Sequence, residues 1–292
     1  MTTPYMGWQG QLGMGTIVTI TEAYEFKSES LASERTVIKT AGMRGTRAQV
    51  FERVRQGTLA PGGSIVLEPT HAELINLLPR ILGGAVIAKT VLLADTLPNF
   101  WVMVDRGAKV YTYNSCVCDK GIFRGSEGQF LELQMDVEGL TETIGAAGSF
   151  TGGLTIDANP PWTFFDGVLT LNSVALPIFD FELTVDNMLK KDRFVNGQTR
   201  AFLMPMDRVV TLKITTPYSV AGSAFYDGVG ASISGTLVFT NGAVTLTFTL
   251  EDTWFPAKKS PVLTRKDDEI KMTLEGQVFS TAGGSELTVS YS

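Results

Sequence analysis

NFWVMVDRGAKVYTYNSCVCDKGIFRGSEGQFLELQMDVEG, residues 99–139, is the stretch whose reading decides the fold. Apolar or β-branched residues recur at every second position through Trp101-Met103, through Val110-Thr112 and again through Phe130-Leu131-Leu133-Met135-Val137. A period of two belongs to a half-buried strand and not to a helix. Asp105-Arg106-Gly107, Asn114-Ser115 and Gly125-Ser126-Glu127-Gly128 interrupt the pattern with residues that tolerate turn geometry. The stretch is therefore expected to form a meander of three strands with one wet face and one dry face.

Upstream, residues 58–68 read as a strand kinked at Pro61-Gly62-Gly63, followed by the clearest helix in the chain. Leu74, Leu77, Leu78 and Ile81 fall on one helical face, Pro69-Thr70 open it and Gly83-Gly84 close it. Residues 1–30 hold too little apolar material to fold alone, so this arm is expected to dock on its own body or on a neighbour. Residues 31–56 read as a polar loop. Downstream, residues 139–161 are rich in small residues and end in Pro160-Pro161, the composition of a linker. Strands are then expected at 167–172, 179–186 and 208–215, with a weaker helix from Thr216-Pro217 to Tyr226. A hairpin turning at Asn241-Gly242 and closing strands at 270–279 and 286–291 complete the chain.

The composition agrees with a β-rich globular protein. Of 292 residues, 44% are hydrophobic and 18% charged, with 30 glycines and 12 prolines to serve many turns. Net charge is −6, and division at Gly148 leaves both halves mildly acidic. Tight binding to a phosphate backbone needs clustered Lys and Arg, so that class is disfavoured. Cys116 and Cys118 would lie on one face of a strand, poorly placed to bond each other, and are expected to stay reduced. The amino terminus lacks the pattern of a secretory signal, and no window approaches a membrane span, so neither membrane nor export is expected.

Chemistry is hard to find. His71 is the one histidine, which leaves no metal cluster and no Ser-His-Asp arrangement. The glycine-rich pieces lack the phosphate-cradling patterns. The carboxylates are spaced as a solvated strand face, so no enzyme, cofactor or metal is expected.

The two halves share an order of elements: a strand, a basic loop containing Thr46-Arg47-Ala48 or Thr199-Arg200-Ala201, a second strand, a helix opening, then hairpins. That order points to duplication, with domains at 1–148 and 149–292. The segments GTLAPGGSIVLEPTHAELINLLPRILGG, VDRGAKVYTYNSCVCDKGIFRGSEGQFLELQMDVEG and SGTLVFTNGAVTLTFTL, in this sequence order, resemble the tail tube proteins, or major tail proteins, of long, non-contractile-tailed bacteriophages. The resemblance implies a mainly β chain with two tandem β-sandwich or barrel tube domains, each with one flanking helix. It implies a virion tail protein that stacks as rings into a hollow tube through which DNA is ejected. With two domains per chain, a trimer making a pseudo-hexameric ring is suggested, with a hexamer as the alternative. Further expected partners are the tail terminator and the baseplate or tape-measure proteins, and DNA passes without specific binding.

Under that resemblance the charged residues acquire expected roles. Glu127, Glu132, Asp136 and Glu138 in the first half, with Asp180, Glu182 and Asp186 in the second, become candidates for a lumen that repels phosphates. Arg44, Arg47, Arg53 and Arg55, with Lys190, Lys191, Arg193 and Arg200, become candidates for contacts with the next ring or subunit. The alternative from another class is a carbohydrate-binding β-sandwich of a virion or cell surface, for which Trp101, Trp162 and Trp254 are too scattered to argue.

Overall fold

A computed structural model describes residues 5–16, 20–43, 45–146, 156–219, 223, 232–256, 266, 269–281 and 284–292. The first half contains β1 (Gln11–Gly15), β2 (Glu22–Tyr24), β3 (Ser28–Glu29), β4 (Ala32–Lys39) and β5 (Val54–Leu67). These are followed by helix α1 (His71–Leu82), β6 (Thr90–Leu92), β7 (Phe100–Asp105), β8 (Lys109–Ser126), β9 (Glu132–Glu138) and β10 (Thr141–Ala146). The second half contains β11 (Gly167–Leu171), β12 (Val174–Leu176), β13 (Asp180–Asp186) and β14 (Val209–Pro217). It ends with β15 (Ser232–Asn241), β16 (Val244–Trp254), β17 (Lys271–Phe279) and β18 (Leu287–Tyr291). The chain is mainly β, and the strands pair antiparallel.

The expected meander is present as β7, β8 and β9, with one correction. Asn114-Ser115 is no turn: β8 runs on for 18 residues and changes sheets there. Before that point it pairs with β7 and β10; beyond it, with β9 and then β13. Ser115 takes a left-handed φ of 51°, and the register slips so that Phe100 faces Cys116 while Val102 faces Tyr113. This is a bulge, which bends and twists a strand without ending it. The Asn114 side chain steadies the corner by donating to the Thr141 and Thr143 hydroxyls, both at 3.2 Å.

The result is one sheet in the order β5-β9-β8-β13-β14-β17, crossing from the first half of the chain into the second. A second junction pairs β6 with the last strand, β18. On the dry face, Leu133, Met135, Phe123, Leu183 and Leu212 are each fully buried. Phe123 meets Phe248 of β16 edge to face at 5.0 Å, and Phe181 meets Phe239 of β15 at 5.8 Å, so a second layer covers this sheet. Most of the buried apolar side chains form one cluster that runs from Leu12 to Val289.

Helix α1 forms as the sequence pattern requires. Thr70 accepts from the Glu73 amide and the Glu73 carboxylate accepts from the Thr70 amide, a capping box. Gly83 closes the helix at φ 86°. The helix lies on β8 at Gly121, where a Cβ would stand 2.4 Å from Ile81 Cγ2. From the second half, the buried Asn187 side chain donates to the Ile81 and Cys118 carbonyls, both at 3.0 Å, satisfying a helix-end acceptor.

Three further expectations change. The polar loop at 31–56 is largely the hairpin β4–β5, whose outer half is exposed on both faces. Thr216 and Pro217 are the end of β14, not a helix start: they pair with Met272 and Lys271 of β17, beyond the last β13 pair, where a missing amide costs no ladder bond. Most of the rest of that expected helix lies outside the described residues, although the Ser223 amide donates to the Ser219 carbonyl at helical spacing. Asn241 pairs with Val244, so Gly242, at φ 61°, and Ala243 form the two-residue turn, one position later than expected. The amino-terminal segment docks on its own body through β1, which pairs with β2 and β7. Strand β10 lies inside the expected linker, of which residues 147–155 fall outside the described set.

Candidate functional site

The wet face of the crossing sheet gathers most of the candidate acids. Glu132, Asp136 and Glu138 stand on β9, and Asp180, Glu182 and Asp186 on β13, every second residue in strands whose alternate positions are buried. Strand β8 lies between them and carries two cations on the same face. Its register sets Lys120 between Asp136 and Asp186, and Arg124 between Glu132 and Glu182. Glu127 sits apart, exposed in the turn that follows β8.

These registers produce a ladder of alternating sign. Lys27 joins Glu68 at 3.1 Å and Glu132 at 3.0 Å; Arg124 joins Glu182 at 2.7 Å and lies 3.8 Å from Glu132; Lys120 joins Asp186 at 2.7 Å. Arg124 also donates to Gln134, which donates to Asp136, both at 2.8 Å. The hydrogen bond to Asp186 holds the Lys120 ammonium above its ordinary pKa, and Glu132, then Glu68, do the same for Lys27. Acids remain in excess on this face, with Asp180 and Glu275 outside any ion pair among the described residues. Exposed pairs of this kind contribute about 0–1 kcal/mol each, so the ladder matters more for surface potential than for stability.

The two candidate basic segments part company. Arg44 lies outside the described residues. Arg47, Arg53 and Arg55, on the hairpin, are exposed and have no carboxylate within ion-pair distance among the described residues. Around them Val37, Ile38, Met43 and Phe51 are exposed too. In the other segment, Lys191 bridges Asp119 at 2.6 Å and Glu138 at 3.0 Å. Arg200 is 8% exposed, pairs with Glu138 at 2.9 Å, and donates to the carbonyls of Pro61, Gly139 and Lys191. Arg193 stacks 4.4 Å over Phe202, and Lys190 lies 3.8 Å from its neighbour Asp192. The Gln198 carbonyl accepts from the Leu59 amide at 2.6 Å and its side chain donates to the Gln56 carbonyl, so this loop braces the base of the hairpin.

Sequence reasoning missed Lys120 and Arg124, although both fall on the wet parity of β8 next to the quoted turn. Among the described residues no group of acids, histidines and cysteines is placed to hold a metal ion. Cys116 and Cys118 are free and buried, and burial pushes both thiols up, away from reactivity. Trp162 is buried and Trp254 packs on Phe279, so the tryptophans build no shared exposed platform. No helix among the described residues is long and apolar enough to cross a membrane.

The arrangement is a broad charged wall and a hairpin on which Arg47, Arg53 and Arg55 have no ion-pair partner among the described residues. Comparison with the curated proteins returns no match. The family model described as phage tail tube protein matches residues 7–289, nearly the whole chain, and the protein belongs to that family of structural proteins of the virion tail.

Proposed function

We propose that this tail tube protein polymerises as stacked rings into the hollow tube through which phage DNA leaves the capsid, with the wet face of the β5-β9-β8-β13-β14-β17 sheet lining the lumen. The observation that carries this reading is the gathering of six candidate acids from both halves on one continuous sheet face. Lys120 and Arg124 are flanked by carboxylates, Lys213 stands in register between Glu182 and Glu275, and Lys271 lies over Phe179, so a passing duplex meets a face on which acids outnumber cations and slides without being held. In this reading each chain supplies two tube-like halves, 1–148 and 149–292, and three chains close a pseudo-hexameric ring; six chains per ring is the alternative. The exposed hairpin supplies the contact with the adjacent ring or subunit. Tail terminator and baseplate or tape-measure proteins cap and fill the tube.

Negative-stain microscopy of the purified protein, with the mass of one ring, tests this. Hollow tubes whose rings hold three chains are expected. Discrete monomers that bind glycans on an array would replace the tube with a carbohydrate-binding module.

A further inference from the structure

The hairpin has a complement elsewhere on the molecule. The amino-terminal segment, β2 and β7 frame an open groove of ≈940 Å3, with Met6, Trp8 and Phe26 among its apolar lining and Glu25 on its wall. Trp8 is 82% exposed, and Glu25 is exposed with no ion-pair partner among the described residues. The two cations that line it, Lys27 and Arg106, are already held by Glu68, Glu132 and Glu29. A second cavity of ≈460 Å3 adjoins this groove, sharing Ala23, Tyr24 and Ile156 with it, and is lined by Glu73 and Asp157.

Glu73 is only 5% exposed, yet half of its carboxylate is unused. Oε2 accepts from the Thr70 amide at 3.0 Å, whereas Oε1 is buried with no hydrogen-bond partner. The Glu25 amide lies near this carboxylate but makes no hydrogen bond to Oε1. Burial pushes this carboxyl above its ordinary range, the Thr70 and Glu25 amides oppose the rise, and the nearby Asp157 charge adds to it. A buried acceptor left unpaired is destabilising, and an incoming cation would relieve that cost.

We propose that the β4–β5 hairpin of one chain seats in this acidic groove of a second copy, its apolar side chains against Met6, Trp8 and Phe26 and its free guanidinium groups toward Glu25, Asp157 and Glu73. The proposal rests on the tube reading above and names the surface that receives the hairpin. Both sides have the same mixed character. Phe51 is 84% exposed beside three arginines, and the groove sets exposed aromatics beside Glu25 and Asp157; none of these charges has an ion-pair partner among the described residues, although Asp157 accepts from Thr70 and Asn159. Exposed apolar groups rimmed by charge mark an interaction surface, and opposite signs on the two sides select the partner. Head-to-tail contacts of this kind propagate, as a polymer requires.

Two charge-reversed proteins test it. One carries Arg47→Glu, Arg53→Glu and Arg55→Glu; the other carries Glu25→Lys and Asp157→Lys. Each alone faces like with like and is expected to lose pelletable tube by about tenfold or more, since like-charge juxtaposition opposes docking. Mixed in equal amounts, a hairpin of either variant finds a groove of opposite sign on the other, as rings of the two variants stacked in alternation would present, and tube mass returns. Thermal melts matching the parent's establish that each variant folds, and Glu25→Lys alone replaces the pair if Asp157→Lys does not. Parent-like assembly of either variant, or a mixture that stays soluble, overturns the proposal. Failure of the unmodified protein to form tubes overturns instead the reading on which it rests.

Discussion

Two basic segments that look alike in sequence, one on the β4–β5 hairpin and one at residues 188–200, have opposite fates in the fold. The second is consumed by its own chain: Arg200 is buried against three carbonyls and Glu138, and Lys191 is shared between two carboxylates. The first is left over, with exposed arginines and exposed apolar neighbours. Cations enclosed by acceptors of the same chain stabilise the monomer. Cations with no partner on a projecting element are free to meet another copy. The largest effect expected from this difference is in Arg200→Ala, which should lower unfolding free energy by about 3 kcal/mol in urea titrations, because it strands buried acceptors and a half-buried carboxylate. Arg53→Ala should stay within about 0.5 kcal/mol of the parent. Equal losses at the two positions would break the comparison.

The next test stays within the consumed segment. Lys191→Met leaves Asp119 and Glu138 facing each other without their shared ammonium, though Asp119 keeps the Leu189 amide at 2.8 Å. The ammonium end is partly exposed, so screening limits the loss to about 1 kcal/mol. Smaller still is Arg124→Ala on the sheet face. Arg124 and Glu182 are both more than a third exposed, and the loss should be about 0.5 kcal/mol and should shrink further in high salt. A salt-insensitive loss above 1 kcal/mol would mean that the ladder stabilises the monomer after all.

Local chemistry was legible in the sequence, and long-range pairing was not. The Thr70–Glu73 capping box, the apolar stripe Leu74-Leu77-Leu78-Ile81 and the Gly83 cap are all set within one helix, so periodicity and turn chemistry located α1. The parity of Glu132, Asp136, Asp180 and Glu182 placed each acid on the wet face of its strand for the same reason. Nothing local told that β8 would continue through Asn114-Ser115 and carry these acids to one sheet. That outcome depends on the pairing of β8 with β13, about sixty residues further on. Nor could composition separate the two basic segments, because what distinguishes them is a set of carbonyls at Pro61 and Gly139 that only the fold brings to Arg200.

Alkaline titration divides the same two segments without any substitution. Lys120 is held above its ordinary pKa of about 10.5 by the Asp186 hydrogen bond. Lys191 is raised as well, because Asp119 and Glu138 outweigh the burial that opposes them. A base whose folded pKa exceeds its unfolded one contributes stability that is complete below the unfolded value and disappears as pH climbs through the folded value. Unfolding free energy should therefore begin to decline near pH 9, where the unfolded chain ionises the thiols that burial keeps neutral at Cys116 and Cys118, and the further decline above about pH 10.5 should be shallower in Lys191→Met. Arginine does not lose its proton in that range, so contacts made by Arg47, Arg53 and Arg55 keep their charge while the lysine pairs inside the chain fail. Tubes assembled beforehand should consequently remain intact, by sedimentation, at a pH where the free chain already unfolds more easily. Disassembly in step with the fall in chain stability would place lysine pairs, not hairpin arginines, at the contact between copies.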